Sequence, residues 1–564
     1  MKLYKKALLS LAGLSAACGA VTGLQSCTDL TEHPYDIITS ERYEFTDADR
    51  AAMFLPVYSS LRDFVWGWFG FTDISDMASD LWCVPYRIGI GWGDLYIPTH
   101  KHTFHSEIGF FDTAWERAYA GVNACNTLLR DELICESEAS VNELRGYRAL
   151  YYYFLFDMFR NIPLDKGELH EAGWLPEQAT PQETWDYIIS ELKDIKGSFS
   201  DHSALGRFNN ATVCMLLAKM YLQHNSYFPE QTDESWYKLC IDEIDEIMGM
   251  GYSLASSYSE NFALSIAACP ETIFAIPYEE DYEVGGNYYA NLWMCNAGRA
   301  TWNLVSWATS GGGALPQFIE TYDVDDKRYK DCWISGPQYD SKGDPIYIDG
   351  VQLNYTHELR SIDVPGCYEQ EGERLVKYYM QEKWGTSYDD QVIFRYADAL
   401  MMKAECLLRI TGSYKGDNEN TAAELVTQVR MRNFPTNPAK ATRTVAQLRG
   451  GSCYQYGHRE NTAEMDEPDN WIITNEGGAD IELGGLLDEL AWEFLAEGHR
   501  RQDLIRFMMS NGCNVWNGKS WFCKDAITNP ADRHADIFPI PKGAALDGNP
   551  KLKQNPGYSD AASE

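Results

Sequence analysis

Three features of the sequence predict a mainly α fold. Apolar residues recur at i, i+3, i+4 and i+7 in one segment after another through the first half of the chain. Helix-start signals stand before several of those segments. Long stretches rich in Gly, Tyr, Trp, Asn and Asp then interrupt the pattern, and in them the helical period is lost. The expected organisation is a helical scaffold over about residues 46–250 and 395–432. Loop-rich excursions fill about 252–394 and 433–485, and a C-terminal helix and tail follow over 486–564. Loops of this length inside a folded protein usually carry function.

The N-terminus comes first. Lys2, Lys5 and Lys6 precede an apolar run of small residues, Ala7 to Ala17. This reads as a secretory signal, too short for a membrane span. It ends Leu24-Gln25-Ser26-Cys27, which resembles a bacterial lipobox with Cys27 as the acylated residue. Gln25 is less small than usual there, and the rival Cys18 lacks an aliphatic residue three places upstream. Residues 1–26 are thus expected to be removed, 27–45 to form a lipidated tether and 46–564 a single folded domain.

The helices follow in order. Tyr147, Leu150, Tyr151, Phe154, Leu155 and Met158 share one helical face, with Ser140 and Glu143 spaced as a capping box. Thr180-Pro181-Gln182-Glu183 is a second capping box with proline in the first turn, ahead of Trp185, Ile188, Ile189 and Leu192. Further stripes are Cys214, Leu217, Ala218 and Tyr221, then Trp236, Leu239, Cys240, Ile244 and Ile247. Late helices carry Tyr396, Ala399, Leu400, Ala404, Leu407 and Leu408, then Leu487, Leu490, Ala491, Phe494 and Leu495. The spacing of these helices resembles tetratricopeptide-type helical hairpins, without the strict consensus. Within the first excursion, Glu271 to Pro277 reads as a short strand.

Composition excludes several function classes. Lys and Arg total 47 against 83 Asp and Glu, a formal charge of −36. Such a balance repels nucleic acid and anionic lipid. With Cys18 and Cys27 set aside, the remaining cysteines are odd in number and contain no C-x-x-C pair, which argues against a disulfide framework. They read as small buried apolar residues. No G-x-S-x-G elbow, Walker A or Rossmann glycine pattern is present. Gly311-Gly312-Gly313 reads as a flexible loop, and His100, His102 and His105 as a surface loop rather than a metal site. Asp323, Asp325 and Asp326 lack the glycine and closing glutamate of an EF-hand. No catalytic residue, metal ligand or cofactor site is assigned.

Several segments together resemble the SusD/RagB family of outer-membrane nutrient-binding lipoproteins. They are the stretch 27–34 with its cysteine, acidic residues and proline, then 115–126, 143–164, 206–222, 395–405 and 493–506, and finally Phe538-Pro-Ile-Pro541 and 554–558. Two departures are Leu490, where the family often has Arg, and Arg432-Asn433-Phe434 in place of R-A-G. The resemblance implies a SusD-like fold on a cell-surface lipoprotein of the Gram-negative outer membrane. It also implies a SusC-type TonB-dependent transporter as partner and oligo- or polysaccharide as ligand, with no catalysis. Peptide cargo, as in the RagB branch, and a surface glycoside hydrolase are the alternatives. The Tyr151–Tyr153 run and the charges near Glu497 and Arg500 read as scaffold and internal ion pairs.

Two loop segments concentrate aromatic residues outside any helical period. The first holds Trp82, Tyr86, Arg87, Trp92 and Tyr96; the second holds Tyr288, Tyr289, Asn291, Trp293, Trp302 and Trp307. A sugar ring presents an apolar C–H face that stacks on Trp or Tyr, while Asn and Arg take its hydroxyls. In the resembling family, glycan-binding aromatics come from these two regions. All eleven are candidate glycan-binding residues, and the net negative charge favours a neutral glycan.

Overall fold

The computed structural model describes residues 45–90, 93, 95–278, 293–304, 308–363, 366–380, 388–464 and 466–559. The signal segment, Cys27 and nearly all of the tether lie outside them. Three helices begin the scaffold: α1 (Leu55–Val65), α2 (Gly109–Leu128) and α3 (Glu138–Phe159). Next come α4 (Pro181–Ile195), α5 (Asn210–Tyr227) and α6 (Ser235–Gly249). After the first excursion the chain returns as α7 (Tyr396–Arg409) and α8 (Glu419–Met431). Each helix packs on the next, and α7 docks directly on α6, so the stack continues across the excursion. This neighbour-to-neighbour packing is the logic of helical repeats. Two shorter helices, α9 (Gly484–Glu493) and α10 (Arg500–Arg506), close against it.

Local chemistry explains the boundaries. The Thr180–Glu183 capping box starts α4 as expected, with Pro181 in the first turn. The expected box at Ser140 is corrected. Helix α3 begins earlier, with Ser137 as its cap, so Ser140 lies inside the first turn. Glu143 instead holds the Arg207 guanidinium at 2.6 Å, joining α3 to the loop before α5. The run Tyr151–Tyr153 is buried. A Cβ at Gly121 would lie 2.0 Å from the Tyr151 ring, so only glycine lets α2 and α3 close up there. The Tyr151 hydroxyl donates to the Val57 carbonyl at 2.6 Å and ties both to α1. In α6 the core face is Tyr237, Cys240, Ile241, Ile244 and Ile247, with Leu239 exposed on its flank.

Strands are short. They include β1 (Trp82–Cys83), β2 (Thr272–Ile276), β3 (Gly313–Ala314) and β4 (Gln391–Arg395). The expected strand after Glu271 is β2, which pairs antiparallel with β4; β1 pairs antiparallel with β3. Buried ion pairs fasten the excursions to the scaffold. Glu493 on α9 meets Arg395 at 2.8 Å, Arg432 at 2.6 Å and Arg328 at 3.1 Å. Arg395 also reaches Glu271 and Glu497, and Arg500 holds Asp80 at 2.6 Å. The unusual Arg432 thus belongs to this cluster, and Phe434 is buried beneath Arg430. The thirteen cysteines of the described residues are free thiols, mostly buried. Among the described residues no helix is long and apolar enough to cross a membrane. The fold is mainly α, as expected.

Candidate functional site

Two buried arginines gather loops of the candidate site. Arg87 is fully buried, and its Nη1 donates to the carbonyls of Tyr368 at 2.9 Å and Glu371 at 2.8 Å. Its Nη2 donates to the Gly311 and Gly312 carbonyls at 3.3 and 3.2 Å. Arg374 lies alongside and donates to the carbonyls of Glu371 and Gly372 at 2.7 and 2.5 Å, and to that of Glu369. Burial, and then the Arg87 cation beside it, lower the Arg374 pKa to about 10. Together they gather two loops, 308–313 and 368–372, around fixed donors. Glycine makes this approach feasible, since a Cβ at Gly313 would sit 2.7 Å from Leu359 and 3.2 Å from Arg87. The Gly311–Gly313 segment is therefore buried and bonded, and the flexible loop expected from sequence is corrected.

Further bonds join neighbouring segments of the excursion. The Cys367 N–H donates to the Tyr86 carbonyl at 3.1 Å and the Ile88 N–H to the Cys367 carbonyl at 3.0 Å. Ser310 donates to Glu369. The Ser341 N–H donates to the Ala300 carbonyl at 3.0 Å, and its hydroxyl to Asn303 Oδ1 at 2.8 Å. Trp302 and Met380 pack on Leu304. On these joined segments several rings remain open to solvent. Tyr368 and Tyr379 are each 44% exposed and Tyr339 48%, while Tyr86 and Trp302 are half-buried.

The sequence-based candidates divide. Trp82 and Trp293 are core residues, both 0% exposed, with ring centroids 4.6 Å apart. Trp293 also meets Trp333 edge-on at 5.8 Å, and Gly312 packs against its indole. Their place on a ligand platform is corrected: strand β1 turns Trp82 inward, under the loops rather than onto them. Tyr96 is also buried; its hydroxyl accepts from Trp68 Nε1 at 2.6 Å and its ring packs on Phe110. Arg87 is corrected from ligand contact to loop organiser. Tyr86 and Trp302 stay accessible. Trp92, Tyr288, Tyr289, Asn291 and Trp307 lie outside the described residues. Sequence reasoning passed over Tyr339, Tyr368 and Tyr379; the available signal was a tyrosine two places after Gly366, in a stretch without helical period.

The histidine segment is likewise corrected. His100 is 1% exposed and its Nδ1 lies 3.2 Å from the Met77 carbonyl. His102 is buried too, 2.7 Å from the Ala78 carbonyl and against Trp516. Burial lowers the His100 pKa to about 4, so it is neutral and structural.

Comparison with known proteins agrees with the fold. Residues 247–558, more than half of the chain, match the family model described as the SusD family. Residues 92–222 match a second family model, described as starch-binding associating with outer membrane. The starch-binding protein SusD of Bacteroides thetaiotaomicron is 24% identical over 473 residues, covering 74% of this chain and 72% of that protein. A laminarin-binding SusD-like protein superposes with a TM-score of 0.64 at 20% identity, covering 92% of this chain and all of the other. Surface glycan-binding protein A of Bacteroides thetaiotaomicron, solved with laminarihexaose, gives a TM-score of 0.63 at 18% identity, covering 91% of this chain and all of the other. The chain belongs to the SusD family.

Proposed function

We propose that this protein captures oligo- or polysaccharide at the cell surface without cleaving it, and passes it to a SusC-type TonB-dependent transporter. Acylation at Cys27 would hold it on the outer membrane. The observation that carries the reading is the set of accessible rings, Trp302, Tyr368, Tyr379, Tyr339 and Tyr86, of which Tyr86 and Tyr368 lie on segments fastened by Arg87. Rigid rings on rigid loops lose little entropy when a sugar stacks on them. The names of the relatives, as binding proteins for starch, laminarin and laminarihexaose, support a glycan and a non-catalytic role. A charge of −36 supports a neutral one.

Affinity electrophoresis over starch, laminarin and acidic polysaccharides tests this. A neutral polysaccharide is expected to retard the protein. Trp302→Ala should weaken that binding by on the order of 2 kcal/mol, about thirtyfold, with little change in thermal unfolding. Binding by Trp302→Ala equal to that of the parent would remove Trp302 from the site. Release of soluble sugar would replace the binding protein with a hydrolase, and retention of peptides alone would replace the cargo.

A further inference from the structure

In the first excursion, one imidazole is held between carboxylates. His357 follows a short ribbon at Asn354–Tyr355. Its Nδ1 lies 3.0 Å from Glu373 Oε1 and its Nε2 lies 3.3 Å from Glu320 Oε1. The Glu373 side chain is only 3% exposed and also accepts the Tyr329 hydroxyl at 2.8 Å. That fixed carboxylate selects the tautomer in which Nδ1 carries the proton. Neutral His357 then turns the Nε2 lone pair toward Glu320, two acceptors face to face. Glu358 brings a third acceptor, and the ligand atoms of Glu320, His357 and Glu358 all lie within 4.8 Å of one another.

A cation seated between them would engage all three acceptors at once. The Arg459 guanidinium, 2.7 Å from Glu320 and 2.5 Å from Glu358, holds the two carboxylates but cannot satisfy the imidazole lone pair. Arg459 is partly exposed and its long side chain can swing out to water.

We propose that His357, Glu320 and Glu358 form a site for a divalent transition-metal cation of the Zn2+ class, with Arg459 as the resident charge that the metal displaces. One imidazole nitrogen and two carboxylate oxygens suit Zn2+, with water completing a tetrahedron. The Glu373–His357 bond is the carboxylate–histidine arrangement that commonly orients metal-binding imidazoles. The site would clamp the chain end after Pro316–Ile319 to the ribbon that leads into the loop of Tyr368. It does not depend on which ligand the exposed rings take.

Isothermal titration of the full chain with Zn2+, in chelator-free and phosphate-free buffer at about pH 7.5, tests the proposal. One equivalent is expected to bind. His357→Gln and Glu320→Gln should abolish it. Glu373→Gln should weaken it about 10–100-fold, the usual cost of losing such a partner. Arg459→Ala should tighten it severalfold, because the competing cation is gone. Far-UV circular dichroism and thermal unfolding in EDTA confirm that each variant is folded. Absence of a one-equivalent event, equal binding by His357→Gln, or weaker binding by Arg459→Ala would overturn the proposal.

Discussion

Replacing Trp82 by alanine separates a core residue from a ligand contact. The ring is fully buried and stacked obliquely on Trp293 at 4.6 Å, on strand β1 paired with β3. A buried Trp removes about 150–250 Å² from water, which at ~25 cal/mol per Å² is roughly 4–6 kcal/mol as an upper bound. The lost aromatic pair adds about 0.5–1.5 kcal/mol, and partial collapse of the cavity gives some back. The expected net loss is about 3–5 kcal/mol of unfolding free energy. Guanidinium chloride unfolding followed by circular dichroism reads this as a lower midpoint at unchanged slope. The folded fraction, kept well below its transition, should still bind polysaccharide. An unchanged midpoint together with lost binding would put the Trp82 ring on the ligand and refute the packing described above.

Other perturbations follow from the charge network and the N-terminus. Glu493→Gln is expected to cost about 3–5 kcal/mol, because Arg395, Arg432 and Arg328 lose their shared carboxylate; denaturant unfolding measures it. Burial opposes ionisation of Glu493, but those three guanidinium groups outweigh it and hold its pKa at about 2. Stability from this group is therefore present above the ordinary glutamate value and lost as pH falls from about 5 through 2; Glu493→Gln should lose that acid limb. Asp76 behaves oppositely, since burial raises its pKa to about 8. The native state then holds the extra proton from about pH 4 to 8, so stability falls as pH rises through that window. Asp76→Asn keeps an acceptor for the Gly498 N–H and should flatten this slope in a pH series of melting curves. Cys27→Ala is expected to abolish fatty-acid labelling and release the protein from membranes; continued labelling would favour Cys18.

The scaffold was legible because burial is periodic there. Tyr147, Leu150, Tyr151 and Phe154 repeat with the helical period, and the structure buries all four. Helix starts were legible only where the cap was unambiguous. Thr180-Pro181 admits one reading, whereas Ser137 and Ser140 stand three apart, and the outer serine captured the cap. His100 and His102 looked polar and therefore exposed. A neutral imidazole is buried cheaply once a backbone carbonyl takes its N–H, as those of Met77 and Ala78 can. Nothing local in the sequence announces those partners, which lie more than twenty residues away.

The aromatic loops expose a deeper limit. A tryptophan outside any period is compatible with a solvent-facing platform and with a core beneath a loop. Trp82 and Trp302 are both tryptophans outside any helical period, yet one is sealed in the core against Trp293 while the other rests half-open on Leu304. The difference is made by Arg87. Its guanidinium has no carboxylate among the partners above; it holds four carbonyls from loops more than two hundred residues away in sequence. That holds the 308–313 loop, whose Gly312 packs on the Trp293 indole that Trp82 meets. An arginine beside tryptophans suggested a hydroxyl donor for sugar, yet its donors are taken by loop carbonyls. If those loops carry the ligand contacts proposed above, Arg87→Lys, which keeps the charge but cannot reach four carbonyls at once, should loosen the loops and weaken polysaccharide binding without removing any ring that touches ligand.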